Sequence, residues 1–292
     1  YNENIRIEIT NLNKLNIYIN KKKINKKDSL TKKIHIILFS PEDLKLIKEG
    51  PDNRRKFIDN ELGIIKPFYG KILKDYNKVL YQRNNLLKSL KFRKTTNNSL
   101  EIWNEQLINL GKKIIIYRIN FLQKINKITN VIHNSLSNNQ ENLKLYYISN
   151  IIKSNDDLEN IEETYKNLIE KNVKYDLEKG YTSIGPHLDD IKVVINNFDA
   201  KIYGSQGQQR TAALSMKLSE IELIKSELKE YPIILLDDVM SELDINRQKK
   251  VIKYFDNMQV VFTCTELNFE NFIQNYDKKI YTIHQGKIKN IK

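Results

Sequence analysis

The sequence contains 292 residues with a formal net charge of +13, and hydrophobic residues make up 40% of it. This length allows two domains or one domain with a large insertion, and the apolar content permits a sizeable core. The positive charge favours an anionic partner such as nucleic acid, although a genomic nucleotide bias that enriches Asn, Ile and Lys would produce it equally well. The single cysteine, Cys264, excludes an internal disulfide and fits a reducing cytosol, and no apolar run approaches the ~20 residues of a membrane span.

The N-terminal segment is predicted to form strands. Apolar and polar residues alternate in "NIRIEIT", "LNIYIN" and "KIHIILF", all within residues 1–39. Period-two alternation between Asn-rich and Lys-rich turns is typical of antiparallel strands. In "SPEDLKLIKEGP", which follows, Ser40 can cap a helix with Pro41 at its first position and Asp43 in its first turn.

A helical region comes next. From Asp52 to about Ile132 apolar residues recur at helical spacing, with a break at the polar stretch "RKTTNNS". Two long helices joined by a short polar loop form a helical hairpin. We expect the apolar residues of this hairpin to pack helix against helix rather than to line a cofactor site.

The last third of the chain alternates between strand and helix patterns. A charged helix is predicted from about Asp156 to Lys179, between the strand patterns "NLKLYYIS" and "DDIKVVINNFDAKIYG". The apolar runs "PIILLDD" and "QVVFTCT" are predicted to be fully buried strands, with Cys264 as a small core residue in the second. These patterns predict an α/β fold in which the helical hairpin is an insertion.

Two adjacent carboxylates, Asp237 and Asp238, end the first of these apolar runs. Ligands bind at the carboxyl edge of open α/β sheets, and this arrangement is that of the Walker B motif, in which one acid supports Mg²⁺ and the next lies beside the attacking water. Adjacent acids also occur as ordinary strand ends.

The stretch "GSQGQQ" opens the helix that precedes this strand. Ser205 can cap the helix, and the backbone N–H groups near Gly207 would be open to an anion, which the helix dipole also favours. A simple capped turn explains the same residues when they are taken alone.

The order of these features resembles that of ABC-type ATPases: signature, Walker B strand and D-loop. "SQGQ" is similar to the "SGGQ" core of the signature, "LLDDVMSELD" is similar to "LLDEPTSALD", and "QVVFTCTEL" lies where the switch strand belongs. The longer strings "LFSPEDLKLIKEGPDNRRKFID", "YNKVLYQRNNLLK" and "GPHLDD" resemble one family over nearly the whole chain. It is the RecF family of bacterial recombination-mediator ATPases.

This resemblance implies an SMC-like ABC-ATPase head with an inserted helical arm domain. Residues 1–50 would be the remainder of an N-terminal ATPase lobe made of antiparallel strands, residues 51–138 the arm, and residues 139–292 the C-terminal part of the ATPase domain. The resemblance also implies a cytoplasmic protein that binds ATP with Mg²⁺ and both single-stranded and double-stranded DNA. Such a protein would form an ATP-dependent homodimer and work with RecO and RecR at single-strand gaps.

The resemblance assigns roles to individual residues. Four residues of the signature turn would face the γ-phosphate of an ATP bound by the other protomer: Ser205, Gln206, Gly207 and Gln208. Asp237 would support Mg²⁺, Asp238 would polarise the attacking water, and Asp244 would cross the dimer interface.

The chain departs from the family pattern in several places. Leu188 stands where the family usually has Arg, which puts a phosphate or DNA role of that position in doubt. Asp238 replaces the Glu of transporter ATPases, and its shorter reach fits slow, switch-like hydrolysis. Thr265 occupies the place of the transporter switch histidine, while His187 and His284 lie in turn-like segments and are expected to be structural or exposed.

The P-loop sequence G-x-x-x-x-G-K-[ST] does not occur in these 292 residues. In the family it lies N-terminal to the point where this sequence begins, at a Tyr rather than a Met. Because the P-loop supplies most phosphate contacts, we expect this chain to be a fragment that cannot bind ATP tightly by itself. Slow ATP hydrolysis is then an expectation for the full-length protein alone.

Two basic clusters are candidates for DNA contacts, although a charge run is usually a solvated face. They comprise Lys21, Lys22, Lys23, Lys26 and Lys27, and Arg54, Arg55 and Lys56. Two other functions remain open. A transporter-type ABC subunit is disfavoured by the long helical insertion and the missing switch histidine, whereas in a non-catalytic DNA or protein scaffold the paired acids would be relics.

Overall fold

The structure is a computed structural model that describes residues 4–9, 15–24, 34–93, 99–264 and 276–291. The strands in these ranges are β1 (Ile5–Ile9), β2 (Leu15–Ile19), β3 (Lys22–Ile24), β4 (Ile36–Phe39), β5 (Leu143–Ile148), β6 (Asp190–Ile195), β7 (Phe198–Asp199), β8 (Ile233–Asp237), β9 (Val260–Thr263), β10 (Tyr281–His284) and β11 (Lys287–Ile291). The helices are α1 (Lys45–Lys48), α2 (Pro51–Ile65), α3 (Pro67–Arg93), α4 (Ser99–Leu136), α5 (Asn155–Glu159), α6 (Ile161–Lys179), α7 (Ala200–Tyr203), α8 (Gln206–Leu228) and α9 (Ile245–Tyr254).

The strands form separate small sheets. The antiparallel sheet β1-β2-β3 confirms the prediction for the first two N-terminal patterns, and β5-β6-β7 and β10-β11 are also antiparallel. The prediction was wrong for β4, because β4 lies parallel to β8, which in turn lies parallel to β9. Alternation of apolar residues shows which face of a strand is covered, and it carries no information on the direction of the neighbouring strand.

The parallel sheet β4-β8-β9 is covered on one face. Ile37 and Ile234 point into a core that α8 completes with Leu218 and Ile224. On the opposite face Ile36 and its neighbours are open, since Ile36 is 53% exposed, Leu38 50% and Val261 53%. The prediction of fully buried strands was therefore wrong for the described chain, and Cys264, directly after β9, is exposed rather than part of the core.

Helices α3 and α4 form the predicted hairpin, and α4 belongs to both hydrophobic cores. Leu107 and Ile125 lie in one core with residues of α2, α3, α6, β5 and β6. Ile132 and Leu136, in the last turns of the same helix, lie in the core of the parallel sheet. At 38 residues, α4 is about 57 Å long, which is sufficient to join the two cores.

Helix α6 packs with the arm, although it lies beyond the residues assigned to the arm from the sequence. Its Asp176 forms an ion pair with Arg83 of α3 at 2.7 Å, and both side chains are fully buried. Arg83 also donates to Asn104 of α4, and Asp176 accepts from the backbone and hydroxyl of Ser183. These charge-assisted hydrogen bonds hold three helices and the loop after α6 in one arrangement.

His187 has the structural role that its turn-like segment indicated. Its Nε2 lies 3.1 Å from the carbonyl oxygen of Thr182, and its Nδ1 lies 2.8 Å from the hydroxyl of Tyr76. Because a carbonyl can only accept, Nε2 donates, and Nδ1 of the neutral ring accepts from Tyr76. Burial of the ring lowers the pKa of His187 to about 4.

Acid should therefore destabilise the fold through His187. The unfolded chain, with an ordinary histidine pKa near 6.5, takes up this proton more readily than the folded chain. The stability that depends on the neutral ring is complete above about pH 6.5 and is lost as the pH falls towards about 4. Between pH 7 and 5 we expect the wild type to lose about 2 kcal/mol more unfolding free energy than His187→Gln in urea denaturation. Equal losses in the two proteins would contradict this account.

Candidate functional site

The predicted signature turn is the N-terminus of α8. Ser205 is its N-cap: the Ser205 Oγ accepts from the Gln208 N–H at 3.2 Å, and the Ser205 N–H donates to Gln208 Oε1 at 2.9 Å. This reciprocal pair is a capping box, which starts the helix firmly. Ser205, Gln206 and Gly207 are exposed, and the Gln208 side chain is held within the turn.

The N–H groups of Gln206 and Gly207 remain open in the described part of the chain, since no hydrogen bond from them reaches another described residue. They lie at the positive end of a 23-residue helix, where N–H groups and the helix dipole together favour an anion. Open N–H groups near Gly207, which the sequence predicted, are thus found at these two residues.

Packing explains one of the two glycines of the turn and not the other. A Cβ on Gly204 would lie 2.5 Å from the carbonyl oxygen of Ala200, so packing within the chain requires this glycine. A Cβ on Gly207 would meet nothing closer than the Ser205 Oγ at 4.0 Å. Glycine weakens a helix relative to alanine, so Gly207 destabilises α8. Packing within the described chain gives no reason for a glycine at this position.

The side chain of Gln208 also contacts the loop that follows α4. Its Nε2 donates to Glu141 Oε1 at 3.0 Å, and the other oxygen of Glu141 lies 2.9 Å from Nε2 of the fully buried His133. Nδ1 of His133 lies 3.2 Å from the hydroxyl of Ser215, on α8. Burial lowers the pKa of His133, while Glu141 acts in the opposite direction. Sequence analysis missed Glu141 and His133, because no motif or periodicity distinguishes them.

The paired acids lie at the carboxyl end of β8, as predicted. Asp237 is the last residue of the strand and pairs in register with Thr263 of β9. The Thr263 hydroxyl donates to Asp237 Oδ1 at 2.8 Å and accepts from the Asp238 N–H at 3.2 Å. One threonine therefore orients both acids. Thr263 was not predicted from the sequence as a site residue. Like Asp237, it is the last residue of its strand, and this shared position could have revealed its role.

Asp238 has a left-handed backbone. Its φ is 51°, a region that non-glycine residues seldom occupy and that Asp tolerates better than most. Its carbonyl accepts from the Ser241 hydroxyl at 2.8 Å, which fixes the turn after the strand. Both carboxylates are exposed. Residue Thr265, predicted to stand in the place of the switch histidine, lies outside the described residues.

Asp244 caps α9. Its Oδ1 accepts from the Arg247 N–H at 3.0 Å, and its Oδ2 pairs with the Arg247 guanidinium at 2.9 Å. These interactions lower the pKa of Asp244, and the hydrogen bond from the backbone N–H of Arg247 has the largest effect. The side chain is thus engaged in its own helix, which leaves the dimer-interface role as a prediction.

The signature turn and the acidic edge have different hydrogen-bond partners. Hydrogen bonds in the described residues join the first to Glu141 and the second to Thr263, and none joins the two groups. Among these residues no cluster of three His, Cys, Asp or Glu could hold a metal ion. Asp237 can still serve as a Mg²⁺ ligand without such a cluster. This ion is commonly held by one or two carboxylates, and water and substrate phosphates complete its coordination shell.

Curated relatives match nearly the whole chain. The DNA replication and repair protein RecF of Clostridium botulinum (strain ATCC 19397 / Type A) is 43% identical over 288 residues, which cover 98% of this chain and 78% of the relative. The protein of the same name from Alkaliphilus oremlandii is 40% identical over 285 residues, which cover 97% and 77%. The chain belongs to the RecF family.

Solved RecF structures have the same fold. The recombination mediator protein RecF–ATPrS of the RecFOR pathway superposes with a TM-score of 0.83 at 34% identity, covering 99% of this chain and 76% of that one. The corresponding RecF–ATP structure gives 0.80 at 36% identity, with 92% and 72% covered. No family model matches the chain. The predicted fold class, an α/β ABC-ATPase head with a helical arm, is confirmed.

One of the two basic clusters is largely structural in this RecF chain. Arg54 is buried and pairs with Asp190 at 2.7 Å, and it also donates to the carbonyls of Leu46 and Glu49. Arg55 pairs with Asp52. Both guanidinium groups are thus engaged within the chain, which disfavours them as DNA contacts, and a DNA contact of this cluster stays a prediction.

The other candidate contacts are open or undescribed. Lys21, Lys22, Lys23 and Lys56 are exposed, as is Leu188, whereas Lys26 and Lys27 lie outside the described residues. No helix in the described ranges is long and apolar enough to cross a membrane.

Alanine at the two glycines should have opposite effects on stability. We expect Gly207→Ala to raise the unfolding free energy by roughly 0.5 kcal/mol, because the position is open and alanine favours the helix. Gly204→Ala should lower it, because its Cβ would strike the Ala200 carbonyl. Urea denaturation of both variants measures the difference. A Gly207→Ala protein as unstable as Gly204→Ala would mean that the fold itself requires Gly207.

Proposed function

We propose that this chain is part of an ATP-dependent DNA-binding protein that acts in recombinational repair and replication restart. ATP would drive its homodimerisation at single-strand gaps, where it works with RecO and RecR in the cytoplasm. The observation that carries the ATP-driven step is the signature turn: two open N–H groups and a glycine without a packing reason point to a ligand from outside the chain.

In this proposal, two backbone groups of the turn contact the ligand. Ser205 and the Gln208 side chain satisfy each other in the capping box, so they shape the turn. The N–H groups of Gln206 and Gly207 remain for the γ-phosphate of an ATP held by the partner protomer. A glycine at 207 lets the phosphate approach the backbone without meeting a Cβ.

The acidic edge supplies the hydrolytic groups. One oxygen of Asp237 accepts from Thr263, and the carboxylate stays exposed to support Mg²⁺, which would neutralise charge on the phosphates. Asp238 would polarise the attacking water, and its left-handed backbone sets the direction of its side chain. A carboxylate shorter than glutamate fits slow turnover, in which ATP binding rather than hydrolysis controls the dimer.

The RecF relatives support the cellular role. The curated proteins are DNA replication and repair proteins, and the solved structures are of RecF with ATP and with ATPrS in the RecFOR pathway. A P-loop from the same protomer is still required for tight ATP binding, and the sequence of this chain contains none. The proposal is therefore made for the full-length protein.

Asp237→Asn in the full-length protein should weaken ATP-dependent dimerisation and DNA association by about 10–100-fold, because an amide is a poor Mg²⁺ ligand. Sedimentation velocity with ATP and Mg²⁺ measures dimerisation, and anisotropy of a labelled gapped duplex measures DNA association. Asp277→Asn, at an exposed aspartate, is the matched control and should behave as wild type. If Asp237→Asn leaves both unchanged, the paired acids are relics and the scaffold function is correct.

A further inference from the structure

The outer side of helix α3 carries an unbroken row of basic and polar side chains. Exposed residues recur there at alternating steps of three and four, which places them on one side of the helix. We call this row the α3 basic face; its members are Lys71, Lys74, Lys78, Tyr81, Asn85 and Lys88. It contains no carboxylate, and Tyr81 is 64% exposed.

The lysines of the α3 basic face lack the ion pairs that several lysines elsewhere in the described ranges form. Lys112 pairs with Glu162, Lys124 with Glu227, and Lys192 with Asp199. Within the described ranges no such pair is formed by a lysine of the α3 basic face. Lys71, Lys74 and Lys78 lie three and four residues apart, a spacing at which like charges destabilise a helix, and the neighbouring Asp75 offsets this repulsion in part.

A shallow groove of about 500 Å³ follows the same side of the helix. Gly70, Leu73 and Asn77 line it together with Lys74, Lys78 and Tyr81. A Cβ on Gly70 would meet no atom within 4 Å, so packing does not require this glycine inside a helix. Like Gly207, Gly70 weakens its helix and leaves space for another chain to approach the backbone.

We propose that the α3 basic face binds single-stranded DNA, with its lysines on phosphates and Tyr81 stacked on a base. Unpaired lysines attract a polyanion, and from Lys71 to Lys88 the row extends about 26 Å, long enough for several nucleotides. An exposed aromatic ring among the lysines favours the single strand over duplex DNA and over an acidic protein, because unpaired bases can stack on it. This inference rests on the proposed DNA association and adds its location.

The test uses the full-length protein and a labelled oligothymidine, with anisotropy measured over a series of salt concentrations. Lys74→Gln/Lys78→Gln should weaken binding about tenfold, and the slope of log K against log salt should fall by about 1.4, or 0.7 for each lost phosphate contact. Lys71→Gln/Lys88→Gln should behave in the same way. Tyr81→Ala should weaken single-strand binding about tenfold and leave duplex binding unchanged.

The matched control is Lys124→Gln/Lys192→Gln, which removes the same charge from lysines that are already paired. It should keep the wild-type slope, and melting temperatures should show that all variants fold. Equal slopes in the control and in both variants of the α3 basic face would overturn the proposal. A Tyr81→Ala protein that loses duplex and single strand alike, or neither, would overturn the single-strand assignment. If the wild type itself does not bind DNA, the proposed function fails as well.

Discussion

The end of helix α4 fixes the position of the signature turn. Glu141, in the loop after this helix, holds the side chain that closes the capping box, and His133 joins the same carboxylate to α8. The last turns of α4 also lie in the core of the parallel sheet, whereas most of the helix lies in the core of the arm. Because packed cores deform little, a displacement of the arm should be transmitted to the signature turn.

The parallel sheet that carries Asp237 has one exposed face. Parallel sheets are normally covered on both faces, but Ile36, Leu38 and Val261 are open here. The paired acids Asp237 and Asp238 lie at the edge of this half-covered sheet. The proposed ATP site, which needs phosphate contacts from outside these residues, is compatible with an open face beside Asp237.

The sequence predicted the helical hairpin, the capped turn and the acidic strand end, because each depends on local periodicity or on a short motif. It could not predict that β4 is parallel to β8, since the two strands are distant in the chain. The ion-pair partners of Arg54 and Arg55 could not be predicted either, because a charge run does not reveal its partners. Thr263, Glu141 and His133 were missed for a similar reason: each acts through a tertiary contact.

The most direct test of the central claim, that the signature turn acts on a nucleotide held by the partner protomer, is a mixing experiment with the full-length protein. One variant carries Gly207→Ala and the other lacks the P-loop lysine, and sedimentation velocity with ATP and Mg²⁺ measures dimers. The account predicts that neither variant dimerises alone, while the mixture does, because a mixed dimer has one intact site. Dimerisation of Gly207→Ala alone at the wild-type level, or a mixture that stays monomeric, would contradict it.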